Sequence, residues 1–275
     1  MSRQTTIMND DSRARAESYR YELSDEVVDI AARNAGNASP NTLAEVSAKV
    51  APPPIPDYLQ DTYWWAYLHP KSFYFFEREW VVNLILWGNM KKLTQAVLDE
   101  MDLQPNSRLL QVACVYGDFS NKLASHLGQT QSRLDLVDVA PIQLSNAEKK
   151  LSGQDNVSFH HQDSSSLTFP DASFDETVVF FLLHEQPEDV RRKTVAEAIR
   201  VTKAGGRIIF VDYHGPRKSN PMRYVMKPIL ATLEPFAMDL WREELPAYMP
   251  ESIKAEQIRS EFYFGGLYQK VVVSL

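Results

Sequence analysis

The 275-residue chain has a single cysteine, Cys114, which excludes an intrachain disulfide framework and fits a reducing compartment. It also lacks a basic excess. The net charge is −7, which disfavours a nucleic-acid partner, because phosphate binding needs basic surface. No apolar run approaches the roughly 18 residues needed to cross a bilayer. The longest candidate, Trp80–Met90, is interrupted by Asn83 and flanked by Glu77, Arg78, Lys91 and Lys92. The amino-terminal stretch has no apolar core like that of a signal peptide, and Asp10, Asp11 and Glu17 are foreign to a transit peptide. These absences predict a cytoplasmic protein that can still touch a membrane surface. Glycine is sparse, with ten in all. The scarcity matters most in "RLLQVACVYGDFSNKLA", Arg108 to Ala124, which starts as a buried strand and ends as a helix. A nucleotide-binding turn between two such elements normally carries several glycines. This one has Ala113, Cys114, Val115 and Tyr116 before Gly117.

What the chain does contain falls into three parts. Residues 1–50 are polar and rich in Ser, Asn, Arg and Ala, which predicts a mobile segment. "APPPIP", Ala51–Pro56, is a stiff boundary. It opens an aromatic helical lid over 51–104, with "YLQDTYWWAYLHPKSFYFFEREWVVNLILW" at its centre. From Lys71 the apolar positions of this stretch fit a helix but cover more than one face, so such a helix must be covered on several sides. Over 105–275 the pattern changes. Strand-like "RLLQVA", "RLDLVDV", "VSFHHQD", "FDETVVFFLLH" and "GGRIIFVDYH" alternate with helix-like "NKLASHL", "IQLSNAEKKL" and "PEDVRRKTVAEAIRVT". That alternation predicts an α/β fold with a doubly wound, mostly parallel sheet. Apolar helical segments interrupt it at about 216–256, and "EFYFGGLYQKVVVSL" predicts a closing hairpin around Gly265 and Gly266.

Ligands of an open parallel sheet bind outside the carboxyl ends of its strands. Tyr116, Gly117 and Asp118 follow the first strand. Asp138 ends the second, at a spacing where a carboxylate can accept both hydroxyls of a ribose, or can cap the helix opened by Pro141. His160, His161 and Asp163 follow the third. The two histidines alternate across the strand, so one of them faces the core, and Asp163 can equally cap a turn in "QDSSSLTFP". His184 and Glu185 end the fourth strand, Asp212 and His214 the fifth. Four of the six histidines thus fall at one edge. Cys114 has no evident base beside it and reads as a small residue filling a tight turn.

"LLQVACVYGDFS", "VDVAPIQL", "HHQDSSSLTFPDASFDETVV" and "RVTKAGGRIIFVDYHG" together resemble the class I S-adenosylmethionine methyltransferases, especially the quinone C-methylating group. The resemblance implies a seven-stranded, Rossmann-like sheet and a bound S-adenosylmethionine. Asp138 would lie on the ribose and Asp163 near the adenine. Val112, Ala113, Tyr116, Gly117, Val139 and Ser164 would complete the cofactor site. The chain departs from the pattern at the turn, where an acidic residue belongs at Gln111 and glycines at Ala113 and Val115.

"YLQDTYWWAYLHP", "FEREWVVNLILWGNM", "VACVYGDFS" and "FGGLYQ" resemble, more narrowly, the methyltransferase-like enzymes of rhodoquinone biosynthesis. This implies conversion of ubiquinone to rhodoquinone, an amino group replacing a ring methoxy, with S-adenosylmethionine as amino donor and a divalent metal, manganese. Under it, Asp118 is the first candidate metal ligand, with His160, His161, His184, Glu185 and His214 as alternatives. Tyr116, Asp118, His184 and His214 are the catalytic candidates. Tyr63, Trp64, Tyr67 and Tyr213 are the candidates for contact with ubiquinone. An isoprenoid tail implies attachment to the surface of the inner membrane. Two other readings keep the fold: a methyltransferase acting on a quinone or another small apolar molecule, and a non-catalytic binding protein.

Overall fold

Seven stretches rich in branched and aromatic residues form one sheet in the computed structural model, which describes residues 53–63 and 76–275. All of these lie in the unit Pro52–Leu275. The expectation of a mobile segment over 1–50, and the candidates Trp64 and Tyr67, fall outside the described residues. The strands are β1 (Arg108–Val112), β2 (Arg133–Asp138), β3 (Val157–His161), β4 (Phe174–Phe180), β5 (Thr202–Tyr213), β6 (Ile258–Tyr263) and β7 (Tyr268–Ser274). Their order is β3-β2-β1-β4-β5-β7-β6. β1 to β5 pair in parallel, and β7 runs antiparallel to both β5 and β6. The expected mostly parallel, seven-stranded sheet is therefore present. β1 and β4 lie at its centre with helices on both faces, and nearly all of their residues are buried.

Among the described residues, eight helices surround the sheet. Before it come α1 (Asp57–Thr62), α2 (Glu79–Ile85) and α3 (Met90–Leu98). The single helix expected from Lys71 is broken among the described residues. Trp87 and Gly88 both have left-handed backbone, at φ 52° and 78°, and separate α2 from α3. The crossover helices are α4 (Phe119–Gly128), α5 (Pro141–Lys150) and α6 (Glu188–Val201). Pro141 opens α5, where its missing N–H costs nothing. The interruption between β5 and β6 folds as α7 (Met222–Leu233), α8 (Ala237–Leu240) and a 3₁₀ turn at Leu245–Tyr248. The closing hairpin turns at Gly265 and Gly266, whose φ of 65° and 87° suit glycine.

One face of the sheet packs Leu110, Val112, Val179 and Phe210 against Val195, Ala198 and Val201 of α6. On the α4 side, Phe119 stacks on Phe180 with ring centroids 4.1 Å apart. Both rings are fully buried, and this contact fixes the start of α4 over the end of β4.

Candidate functional site

The turn after β1 keeps the conformation of a glycine turn without the glycines. Ala113 sits at φ 71° and Gly117 at φ 82°. Left-handed backbone crowds the Cβ of an L-residue, so Ala113 is strained where glycine would not be. Several contacts hold it there. The Ala113 N–H donates to the Val137 carbonyl at 2.8 Å. Gln111, completely buried, donates Nε2–H to the Ala113 carbonyl and to Ser120 Oγ, both at 2.9 Å. An acidic residue at position 111 could only accept and could not make these bonds. Glu77, ahead of α2, reaches the same turn. Its carboxylate accepts from the Gly117 N–H at 3.3 Å and from Asn146 Nδ2 at 2.8 Å, and it pairs with Lys150.

Asp138 lies across the turn at the end of β2. Oδ2 accepts the Cys114 N–H at 2.7 Å and Oδ1 accepts the Ala140 N–H at 2.8 Å. Burial raises the Asp138 pKa against these bonds. The Cys114 thiol is also pushed well up, by burial and then by Asp138, so it stays protonated and is no nucleophile.

A cavity of about 1240 Å³, counted with its open mouth, occupies this carboxyl edge. Ala113 to Tyr116, Asp138, Val139 and Ala140 form one wall. Phe180, Phe181, Tyr213 and His184 form another. Tyr58, Leu59, Phe76, Val82, Leu86 and Met90, all from before the sheet, close over it. The tyrosines Tyr58, Tyr116 and Tyr213 all have pKa values raised chiefly by burial, so they are neutral phenols.

His184 is the charged group of this wall. β4 and β5 are paired neighbours, with Phe180 opposite Val211, so the residues just beyond their ends meet. His184 Nδ1 lies 2.9 Å from Asp212 Oδ1. Asp212 also accepts the N–H of His184 at 3.2 Å and that of Tyr213 at 2.7 Å. The Tyr213 ring meets the imidazole edge-on at 4.9 Å. Burial pushes the imidazole pKa down, but Asp212 outweighs it, with Glu185 and Glu234 adding, and His184 is raised to about 9. It is therefore an imidazolium at neutral pH. Its Nε2 is 3.7 Å from Glu185 Oε1, beyond hydrogen-bond range.

The other sequence candidates lie apart. Val112 is buried in the core under the turn. Asp118 is half-exposed beside Lys122 at 3.4 Å and accepts from Asn121 Nδ2 at 3.1 Å. His160 reaches back along the sheet to Asp135 at 2.7 Å and sits edge-on to Phe169. His161 Nε2 is 3.1 Å from the Val139 carbonyl, and burial lowers its pKa. His214 Nδ1 is 2.7 Å from the Gly266 carbonyl and packs on Phe262. Asp163 Oδ1 accepts from the N–H and Oγ of Ser165, both at 2.8 Å, which is the turn cap. Ser164 lines the cavity and holds Gln186 and Thr194 at 3.0 Å. Tyr63 is buried beside Phe236. Of the expected metal ligands only His184 and Glu185 come together. Among the described residues no three His, Cys, Asp or Glu side chains gather as a metal site. These residues do not fit the metal that the narrower resemblance implies.

Sequence reasoning missed the partnership of His184 with Asp212, and it missed Tyr58, Glu77 and Glu234. Glu234 follows α7 and lines the cavity, its pKa raised by burial. Asp212 ends a strand adjacent to that of His184, which was a usable signal. Glu77 and Glu234 carry none, because their positions depend on how segments outside the alternating core fold back.

Residues 109–206 match the family model described as "Methyltransferase domain". The demethylmenaquinone methyltransferase of Staphylococcus saprophyticus is 28% identical over 134 residues, 49% of this chain and 56% of that protein. That of Staphylococcus aureus is 26% identical over 159 residues, 58% of this chain and 63% of that protein. The chain thus spans less than two thirds of the length of these relatives. A solved structure described as a possible exported protein from Bordetella parapertussis overlays with a TM-score of 0.54 at 15% identity, over 98% of this chain and 99% of that one, a likeness of fold alone. The sheet order is that of the Rossmann-like class I S-adenosylmethionine methyltransferase fold, and in sequence the chain is similar to demethylmenaquinone methyltransferases.

Proposed function

We propose that this domain is an S-adenosylmethionine-using transferase whose acceptor is an apolar quinone ring, and that it exchanges a ring methoxy for an amino group, the conversion of ubiquinone to rhodoquinone. The observation that carries the reading is the His184–Asp212 pair, an imidazolium beside Phe180, Phe181 and Tyr213 in the wall of a cavity that also holds the remodelled turn. The site suits the cofactor. Asp138 lines the cavity with Val139 and Ala140, and its carboxylate is an acceptor of the kind that ribose hydroxyls need. Bound S-adenosylmethionine supplies the group that is transferred.

A quinone carbon bearing a methoxy is electrophilic because it is conjugated to a carbonyl. His184 Nε2–H is positioned to donate to that carbonyl oxygen, where negative charge gathers when a nitrogen nucleophile adds to the ring. The same proton can serve the departing methoxy, which leaves as methanol. Freeing the ring nitrogen from the cofactor's α-carbon would require loss of the α-hydrogen, with the quinone taking the electron pair, then hydrolysis to an α-keto acid and the aminoquinol once the site opens to water. Asp212 holds the ring orientation throughout and keeps the imidazole charged. The aromatic wall and the segment before the sheet exclude water, which strengthens the hydrogen bond from His184.

Methyl transfer to a reduced quinone is the second reading, favoured by the relation to demethylmenaquinone methyltransferases. There His184 would have to remove a ring-hydroxyl proton, which only its neutral form can do. The two readings therefore predict opposite pH limbs. Amino exchange falls as pH rises through about 9, and methyl transfer climbs toward it. The test is incubation with S-adenosylmethionine and ubiquinone, oxidised and reduced, followed by product mass across that pH range. An aminoquinone with a falling limb supports the proposal. A methylated product with a rising limb replaces it with the second reading, and unchanged quinone defeats both.

A further inference from the structure

Helix α7 carries apolar residues on its exposed surface as well as on its buried face. Met226 and Leu230 are buried against the domain. At about 100° per residue, Tyr224 and Val225 point away from that buried face, Ile229 lies on its flank and Leu233 at its carboxyl end, and they are 70%, 43%, 40% and 46% exposed. A second exposed apolar element adjoins it. Trp80 and Leu84 of α2, one turn apart, are 58% and 66% exposed. Trp87 just beyond them is half-exposed, and its indole N–H donates to Met226 Sδ at 3.1 Å, tying the two elements together. A water-facing helix normally presents polar residues outward.

We infer that α7 and the exposed side of α2 form one surface that docks on an anionic lipid bilayer. Charge argues for this occupant over another apolar protein face. The chain carries −7 overall, yet His214 to Leu233 contains Arg217, Lys218, Arg223 and Lys227 and no acidic residue. Arg217, Lys218 and Lys227 are exposed. Lys227 falls at the margin of the outward apolar face, where a long basic side chain reaches headgroups while the helix lies in the interface. Basic residues beside an apolar stripe are what an anionic leaflet attracts. The surface borders the cavity: Ile85 is both half-exposed and a lining residue, and Glu234, directly after α7, lines the cavity too. No described helix is long and apolar enough to cross a membrane, so this contact is one of lying on the surface. The inference rests on exposure and charge and is independent of the reaction proposed above.

The experiment is flotation of the full chain, without S-adenosylmethionine or quinone, on phosphatidylcholine vesicles with and without phosphatidylglycerol. The expected result is flotation with the anionic vesicles and at least tenfold less with phosphatidylcholine alone. A triple variant, Leu84→Ser, Ile229→Ser and Leu233→Ser, should lose at least tenfold of the anionic binding and keep the parent's circular dichroism and melting. These side chains are exposed, so the core is not disturbed. Should that variant misfold, brominated lipids give a second reading: parental tryptophan fluorescence is quenched, and Trp80→Phe with Trp87→Phe removes most of the quenching. A parent that stays in the soluble fraction with both vesicles overturns the inference, as does a variant that floats equally well. A parental dimer that the variant converts to monomer, with vesicles failing to compete, assigns the surface to a second copy instead. Because neither cofactor nor quinone is present, these outcomes leave the proposed reaction untouched.

Discussion

Asp212→Asn removes one charge and little volume, and its effect follows from the burial of His184. In the parent, His184 is held near 9 by the Asp212 carboxylate at 2.9 Å. Without that charge only Glu185 and Glu234 oppose burial, and the imidazole pKa falls toward or below its ordinary value of about 6.5. The raised pKa stabilises the folded state by about 3.5 kcal/mol well below the unfolded pKa, from roughly 2.5 pH units at about 1.4 kcal/mol each. A group whose folded pKa is raised contributes fully below its unfolded pKa and loses that contribution as pH rises through the folded value. The parent should therefore exceed the variant by about 3 kcal/mol near pH 6.5, and the gap should close progressively up to and beyond about pH 9. Urea denaturation of both proteins at intervals from pH 6.5 to 9.5 measures it. Titration of the His184 ring by nitrogen NMR locates the cause. A gap that is constant across this range would refute the reasoning, because it would mean that Asp212 acts only through its bonds to the backbone N–H groups of His184 and Tyr213.

Two further substitutions probe the cofactor turn. Asp138→Asn should weaken S-adenosylmethionine binding tenfold or more, from the loss of hydrogen bonds worth about 1.5–3 kcal/mol to a charged acceptor. Titration calorimetry reads this, and binding equal to the parent would contradict the ribose assignment. Ala113→Gly should raise stability by about 0.5–1 kcal/mol, because relief of left-handed strain at φ 71° exceeds the entropy that glycine adds to the unfolded chain. A lowered melting temperature would show that the turn tolerates alanine without cost.

The parallel sheet was legible because buried strands and amphipathic helices differ in period, and because Gly265-Gly266 and Pro141 mark a turn and a helix start. The turn after β1 was legible only as an anomaly. Alanine gives no sign that it will adopt a glycine conformation, and Gln111 gives none that its amide will clamp the Ala113 carbonyl. The histidine edge was legible in part. Strand ends place His184 near Asp212, but period-two alternation cannot say how far a side chain leans. His160 leans back to Asp135, which lies opposite the previous face-sharing position of β3, and so leaves the edge. Glu77, Tyr58 and Glu234 reach the site from segments outside the sheet. Their placement depends on tertiary packing that no local pattern encodes.

The central claim is that this site delivers the cofactor's nitrogen to a quinone. The most direct measurement uses S-adenosylmethionine carrying heavy nitrogen in its α-amino group, incubated with the protein and ubiquinone, with the product analysed by mass spectrometry. The account predicts an aminoquinone that contains the heavy nitrogen and has lost one methoxy. A methylated quinone, or an aminoquinone without the label, would contradict it.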